Sequence, residues 1–235
     1  MKFELCLSLC YFVTTHCTAN AHDPYLRGVY IGMEETGRIL DQILRNYDPY
    51  VRPEPLDGGP TDMEVWVRLI ELMLHHDNLY LTGSFNRRWV DNRLKFEPSI
   101  GGREDITLDA SEFQQLIWQP DMVFMTHYSH NVMGRGLITI YHNGTVHHKN
   151  IDTAFINLEK PTNGQKSFKV VFTATDFDND KNDVTYHCPP EGCILRQDDH
   201  NKIKVENVEH SKSIKMIADC EYEVVNVTLT LTREI

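Results

Sequence analysis

The sequence predicts an all-β protein: an immunoglobulin-like β-sandwich of about ten strands with one helix at its amino-terminal end. Three observations carry that expectation. Met63, Val65, Val67 and Leu69 alternate with Asp62, Glu64, Trp66 and Arg68, the period of two expected of a strand with one buried face. Val225, Val227, Leu229 and Leu231 repeat the pattern against Asn226, Thr228, Thr230 and Thr232. Between them, Leu137-Ile138-Thr139-Ile140-Tyr141-His142 and Thr145-Val146-His147-His148-Lys149 flank Asn143-Gly144. An Asn-Gly pair between strand-like runs signals a hairpin, because both residues tolerate positive φ.

The helix comes first. Ile39, Leu40, Ile43, Leu44 and Tyr47 fall on one face at helical spacing, and Asp48-Pro49 ends the run. Arg52-Pro53-Glu54-Pro55-Leu56-Asp57-Gly58-Gly59-Pro60 reads as a turn-rich linker into the first strand. From 178 to 214 the chain is charged and irregular, which predicts a long surface loop holding a short strand or two.

With 235 residues, 41% of them hydrophobic, the chain is long enough for one domain with a real core. Residues 1–21 read as a secretory signal: Lys2, an apolar run from Leu5 to Val13, and the small-residue site Ala19-Asn20-Ala21. That leaves 22–235 as the mature domain. No other run is apolar for long enough to span a bilayer, so the expected product is secreted, extracellular and free of membrane spans. Its net charge of −11 disfavours a nucleic-acid partner. Cys6, Cys10 and Cys17 leave with the signal, and Cys188, Cys193 and Cys220 remain. Cys188-Pro-Pro-Glu-Gly-Cys193 is the most plausible disulfide pair, a zinc site with His187 being the alternative.

Asp176, Asp178 and Asp180 open like a calcium loop, but Lys181 replaces the required glycine and His187 the bidentate glutamate. Only a looser carboxylate site stays open. The pairs His75-His76 and His147-His148 point to opposite faces of a strand and cannot easily chelate one metal. There is no nucleophile motif, phosphate-binding glycine loop or acid/base carboxylate pair, so neither an enzyme nor a cofactor is expected. Asn143-Gly144-Thr145 and Asn226-Val227-Thr228 are glycosylation sequons.

Trp89-Val90-Asp91-Asn92-Arg93-Leu94 is followed by Trp118-Gln119-Pro120-Asp121. Tyr47-Asp48-Pro49 precedes them, Asn143-Gly144-Thr145-Val146 follows, and Asp219-Cys220-Glu221-Tyr222 leads into the final strand. In this order the motifs resemble the extracellular ligand-binding domain of pentameric Cys-loop receptors and the acetylcholine-binding proteins. The resemblance implies a homopentamer that binds a small-molecule ligand between subunits, as a secreted receptor or as the extracellular domain of a channel. A structural or carbohydrate-binding sandwich is the reading from outside that class. Trp89, Trp118, Pro120 and Asp121 are expected to hold the fold rather than touch ligand.

The resemblance also implies where the ligand sits. Ser84, Asn86, Arg88, Thr139, Tyr141, His147 and Lys149 would line the complementary side. Met125, His127, Tyr128, Thr175, Phe177 and Tyr222 would line the principal side. The chain departs from the cholinergic pattern at Met125, Thr175 and Ser84, where the aromatic cage would be, and it has the single Cys220 where that pattern has two cysteines. The segment 155–168, in place of the family's cysteine-closed loop, contains no cysteine. With Arg88 and Lys149 cationic and His147 able to become so, the implied site suits an anionic or amphipathic ligand better than choline.

Overall fold

The computed structural model describes residues 24–55, 57–75, 78–98, 102–110, 116–120, 122–126, 136–157, 167–176, 182–192, 194–196, 203–217 and 219–233. The chain divides into two units, Met1–Arg45 and Asn46–Ile235. The first contains helix α1 (Pro24–Leu44). It opens on proline, whose missing N–H costs nothing in the first turn. Expected signal residues 1–21 lie outside the described residues. The helix ends at Leu44, so Tyr47, which continues its apolar period, is not on it and belongs to the second unit.

The second unit is β throughout. Its strands are β1 (Thr61–His75), β2 (Asn78–Val90), β3 (Asp105–Asp109), β4 (Met122–Thr126), β5 (Gly136–Tyr141), β6 (Thr145–Asn157), β7 (Ser167–Asp176), β8 (Val184–His187), β9 (Ile194–Arg196), β10 (Ile203–Ile217) and β11 (Cys220–Arg233). They form two sheets. One runs β3-β5-β6-β2-β1-β8, with β9 also paired to β1, and the other runs β10-β11-β7-β4. All pairs are antiparallel except those of β8 and β9 with β1. The sheets approach each other where β8 meets β11 and β1 meets β10.

Alternation decides which face goes inward. Met63, Val65, Val67 and Leu69 of β1 are buried, as are Leu79, Leu81, Phe85 and Trp89 of β2 and Ile138 and Ile140 of β5. Val225, Val227, Leu229 and Leu231 of β11 are buried as their period requires, and Asn226, Thr228, Thr230 and Thr232 are not. The core is therefore built from the in-pointing half of each strand.

Two expectations need correction. The segment read as a loop holds the two short strands expected, β8 and β9, but from Ile203 onward it is a strand of 15 residues. It shows no alternation because β10 is an edge strand with both faces largely exposed beyond Val205. The β5–β6 hairpin forms at Asn143-Gly144, but Gly144 alone takes positive φ, at 85°. Its N–H donates to the Tyr141 carbonyl at 2.8 Å, and the Asn143 Oδ1 accepts from Thr145 N–H at 2.9 Å. This is a turn with its left-handed residue last, as in three-residue hairpin loops. The Asp91 N–H donates to the Gly144 carbonyl at 2.8 Å, fixing the hairpin to the end of β2.

Candidate functional site

The tryptophan motifs meet in a buried polar knot. Trp89 and Trp118 pack edge to face, with centroids 5.9 Å apart and planes at 84°. Beside them Asp91 is fully buried. It accepts hydrogen bonds from the Tyr47 hydroxyl at 2.7 Å and from Arg93 N, Nε and Nη2 at 3.0, 2.9 and 2.7 Å. The Tyr47 oxygen in turn accepts from the Trp118 backbone N–H and from Arg93 Nη2, each at 3.0 Å. The Arg93 guanidinium lies over the Tyr47 ring, 4.3 Å from its centroid. Burial and the hydrogen bond to Asp91 raise the Tyr47 pKa, so the phenol stays protonated as a donor. These motif residues hold three separate segments together; the expectation for Asp121 lies outside the described residues.

The outward face of the larger sheet carries the complementary-side residues. Register places Arg88 opposite His147, His147 opposite Thr139, and Asn86 opposite Lys149. Ser84, two residues before Asn86 on β2, and Tyr141, two after Thr139 on β5, share the same face. All seven are thus on one surface, but their exposures differ. Ser84 and Asn86 are only 2% and 4% exposed, so they form its floor rather than its surface. The Asn86 Nδ2 donates to the Ser84 carbonyl at 2.7 Å and lies 3.0 Å from its Oγ. That orientation leaves Asn86 Oδ1 to face His147 Nε2 at 3.1 Å. The tautomer follows from this network: Nε2 carries the hydrogen and Nδ1 is left as an acceptor.

Four further residues complete this face, none of them expected as site residues from the motifs. Trp66 of β1 stacks on His147, with centroids 5.1 Å apart and planes at 25°. Arg88 lies over the Trp66 ring, 5.4 Å from its centroid. Arg88 Nη2 forms an ion pair with Glu64 Oε2, and Glu64 is buried although its position in the alternation is outward. On the other side of Glu64, His187 Nε2 is 3.8 Å from Oε1, and His187 Nδ1 is 2.8 Å from Asp62 Oδ1. His187 also borders a surface cleft of about 610 Å³ between the Cys188 turn and β10.

His147 does not supply the positive charge expected of it. Burial, and in the same direction the neighbouring charges of Arg88 and Lys149, together lower its pKa to about 4. Its neighbour His148 faces the core and is lowered to about 3, by burial and by Arg87. The Arg87 Nε donates to His148 Nδ1 at 2.9 Å, and Nη1 donates to the Pro120 carbonyl at 2.9 Å. Among the described residues the surface thus offers Arg88, neutralised by Glu64, together with Lys149 and, opposite Ser84 on β1, the exposed Arg68, beside a neutral imidazole and an occupied indole.

Three of the principal-side residues, Met125, Thr175 and Tyr222, belong to the other sheet. Met125 is on β4 and Thr175 on β7, and those strands pair with Met125 opposite Thr173. Tyr222 is on β11, opposite Lys215. His127, Tyr128 and Phe177 lie outside the described residues. Within one chain the described residues of the two candidate half-sites therefore sit on different sheets of the sandwich. Cys188 is disulfide-bonded and Cys220 is a free, exposed thiol; Cys193 lies outside the described residues.

This architecture is an all-β sandwich with a charged aromatic sheet face and tryptophan motifs tied into its frame. Residues 36–153, half of the chain, match the family described as the neurotransmitter-gated ion-channel ligand binding domain, and the chain belongs to that family. It is 30% identical over 126 residues to the glutamate-gated chloride channel of Drosophila melanogaster, covering 48% of this chain and 26% of that one. Ligand-gated ion channel 50 of Caenorhabditis elegans is 25% identical over 204 residues, covering 81% of this chain and 39% of that one. The human glycine receptor subunit beta is 30% identical over 103 residues, 41% of this chain and 20% of that subunit. The chain thus spans well under half the length of these relatives. No helix among the described residues is long and apolar enough to cross a membrane.

Proposed function

We propose that this chain is one subunit of a five-membered ring that binds a small anionic or zwitterionic ligand between subunits. The outward face of the larger sheet supplies one wall, with Arg88 and Lys149 as its cations. Met125, Thr175 and Tyr222 belong to the other wall, together with His127, Tyr128 and Phe177. What supports this reading is that the described candidates for the two walls lie on different sheets, so a second copy would bring such walls together. Light scattering coupled to gel filtration should give about five times the mass of one chain. A monomer at micromolar concentration refutes the ring.

The ligand class follows from what already occupies the aromatic surface. Trp66 is stacked on His147 and covered by Arg88, so a quaternary ammonium would meet an internal cation where it needs an open ring. Calorimetry with acetylcholine should show no binding tighter than about 1 mM, an affinity of about 4 kcal/mol. Glutamate, glycine and γ-aminobutyrate form the test panel, on the strength of what the related chloride channel and receptor subunits are named for. Micromolar binding of acetylcholine, with none in the panel, refutes the ligand class.

The reading includes secretion after removal of 1–21, a Cys188–Cys193 bridge, and a glycan on Asn143. Asn143 is exposed and its Oδ1 is engaged with Thr145, leaving Nδ2 for the sugar. Asn226 is less suited, because its Nδ2 donates to Ser213 Oγ at 3.2 Å within the sheet. A second reading, that the chain is the extracellular part of a channel, draws on relatives whose names are those of channel and receptor subunits and which are far longer than this chain. A messenger that reads through codon 235 into hydrophobic segments favours the channel, and a stop codon there favours the secreted receptor.

A further inference from the structure

Glu64 is an anomaly of the outward sheet face. Its neighbours in the same alternation are accessible: Asp62 and Arg68 are exposed and Trp66 is half-buried. The Glu64 carboxylate, by contrast, has a side-chain exposure of 10%. Register sets it directly between Arg88 of β2 and His187 of β8. Its two oxygens are divided between them, Oε2 paired with the guanidinium and Oε1 facing the imidazole. His187 is itself held by Asp62, so the carboxylate is confined on that side and directed at Arg88. Arg88 is the more accessible partner, with 47% of its side chain exposed, and its other surface lies over Trp66.

We infer that Glu64 is a specificity-determining residue of the ligand site: it is an internal counter-ion on the guanidinium that an acidic ligand must share or take over. The inference rests on the reading that Arg88 meets the ligand. A guanidinium binds carboxylates through a planar fork, and the ion pair with Glu64 already engages Nη2. An incoming group must compete with a fixed carboxylate. Glu64 therefore lowers the affinity for acids, which it repels, more than that for neutral analogues, and so sets how strongly the site prefers acids. It also cancels one of the cationic charges on the face, leaving Arg68 and Lys149 as the others among the described residues.

The test is calorimetry on the purified oligomer with L-glutamate as the probe, comparing the parent with Glu64→Gln. The amide keeps the shape and removes the charge, so affinity should rise roughly three- to tenfold, the range set by releasing one partly exposed ion pair. Arg88→Ala should abolish the rise when combined with Glu64→Gln, because the two residues act through one contact. Glu64→Asp, which keeps the charge but withdraws it by one methylene, should show a smaller rise and carries the comparison if Glu64→Gln does not fold. A folded Glu64→Gln that binds no more tightly than the parent, including one that binds nothing, overturns the inference. Arg88→Ala that leaves the parent's affinity unchanged overturns instead the reading on which it rests.

Discussion

Replacing Asp91 with alanine should destabilise the sandwich by about 3–5 kcal/mol, the usual loss when one partner of a buried ion pair is removed. Asp91 is wholly inaccessible to solvent, and its carboxylate accepts from Tyr47 Oη and from three nitrogens of Arg93. Without it, the Arg93 charge and the Tyr47 hydroxyl lose their acceptor together. A domain of ordinary stability has about 5–15 kcal/mol in total, so the variant should be marginal at room temperature. Tyr47→Phe keeps the ring beneath Arg93 and removes only the hydroxyl, and should cost about 1–3 kcal/mol. Urea denaturation of both variants measures this. A loss below 1 kcal/mol for Asp91→Ala would mean that the knot is not what joins these segments.

Acid should weaken the fold well before its carboxylates are protonated. The unfolded chain protonates His147 and His148 near the ordinary histidine pKa of about 6.5, whereas the folded chain holds them neutral down to about 4 and about 3. Between those limits the unfolded state binds more protons, so stability falls as pH falls. The contribution is complete above about pH 6.5 and is lost through the window from there to about pH 3. Each full pKa unit is worth about 1.4 kcal/mol, so a loss on the order of 2–4 kcal/mol by pH 5 is expected from the pair. Denaturation curves at pH 7.5 and 5 should show it, and His148→Asn should flatten the difference. Imidazole resonances assigned to His147 and His148 that titrate near 6.5 in the folded protein would contradict it.

The frame was legible in the sequence where one periodicity governed one face. β1 alternates as written from Val65 to Leu69 and β11 from Val225 to Leu231, because over those spans one side of the strand meets the core. The hairpin at Asn143-Gly144 was legible because its turn is local, though which residue takes positive φ was not. Tyr47 misled because its spacing continues the helix, while its ring and hydroxyl are claimed by Arg93 and Asp91 from a distant segment. Glu64 and Trp66 could not be identified as part of the site from alternation alone. What distinguishes them is the residue opposite on the next strand, and cross-strand register is not contained in a strand's own pattern. His147 could be placed on the correct face, but its charge state depends on burial that three strands create together.

The long outer strand β10 bears on how the chain survives before it meets any partner. Among the described residues its outer backbone groups have no neighbouring strand in the sheet, the kind of edge that lets separate chains zip together into aggregates. Three features oppose such zipping. Lys204, Glu206, Glu209, Lys212 and Lys215 place charge of both signs along the edge, and an incoming strand would have to desolvate them. A shift of register between Val205 and Asn207 breaks the flat template near its start. The exposed apolar pair Ile214 and Met216 is left to the far end, beside the β10–β11 turn. Selection on this strand for keeping newly made copies apart would explain why the longest part of the irregular-looking segment is polar on both faces and still a strand.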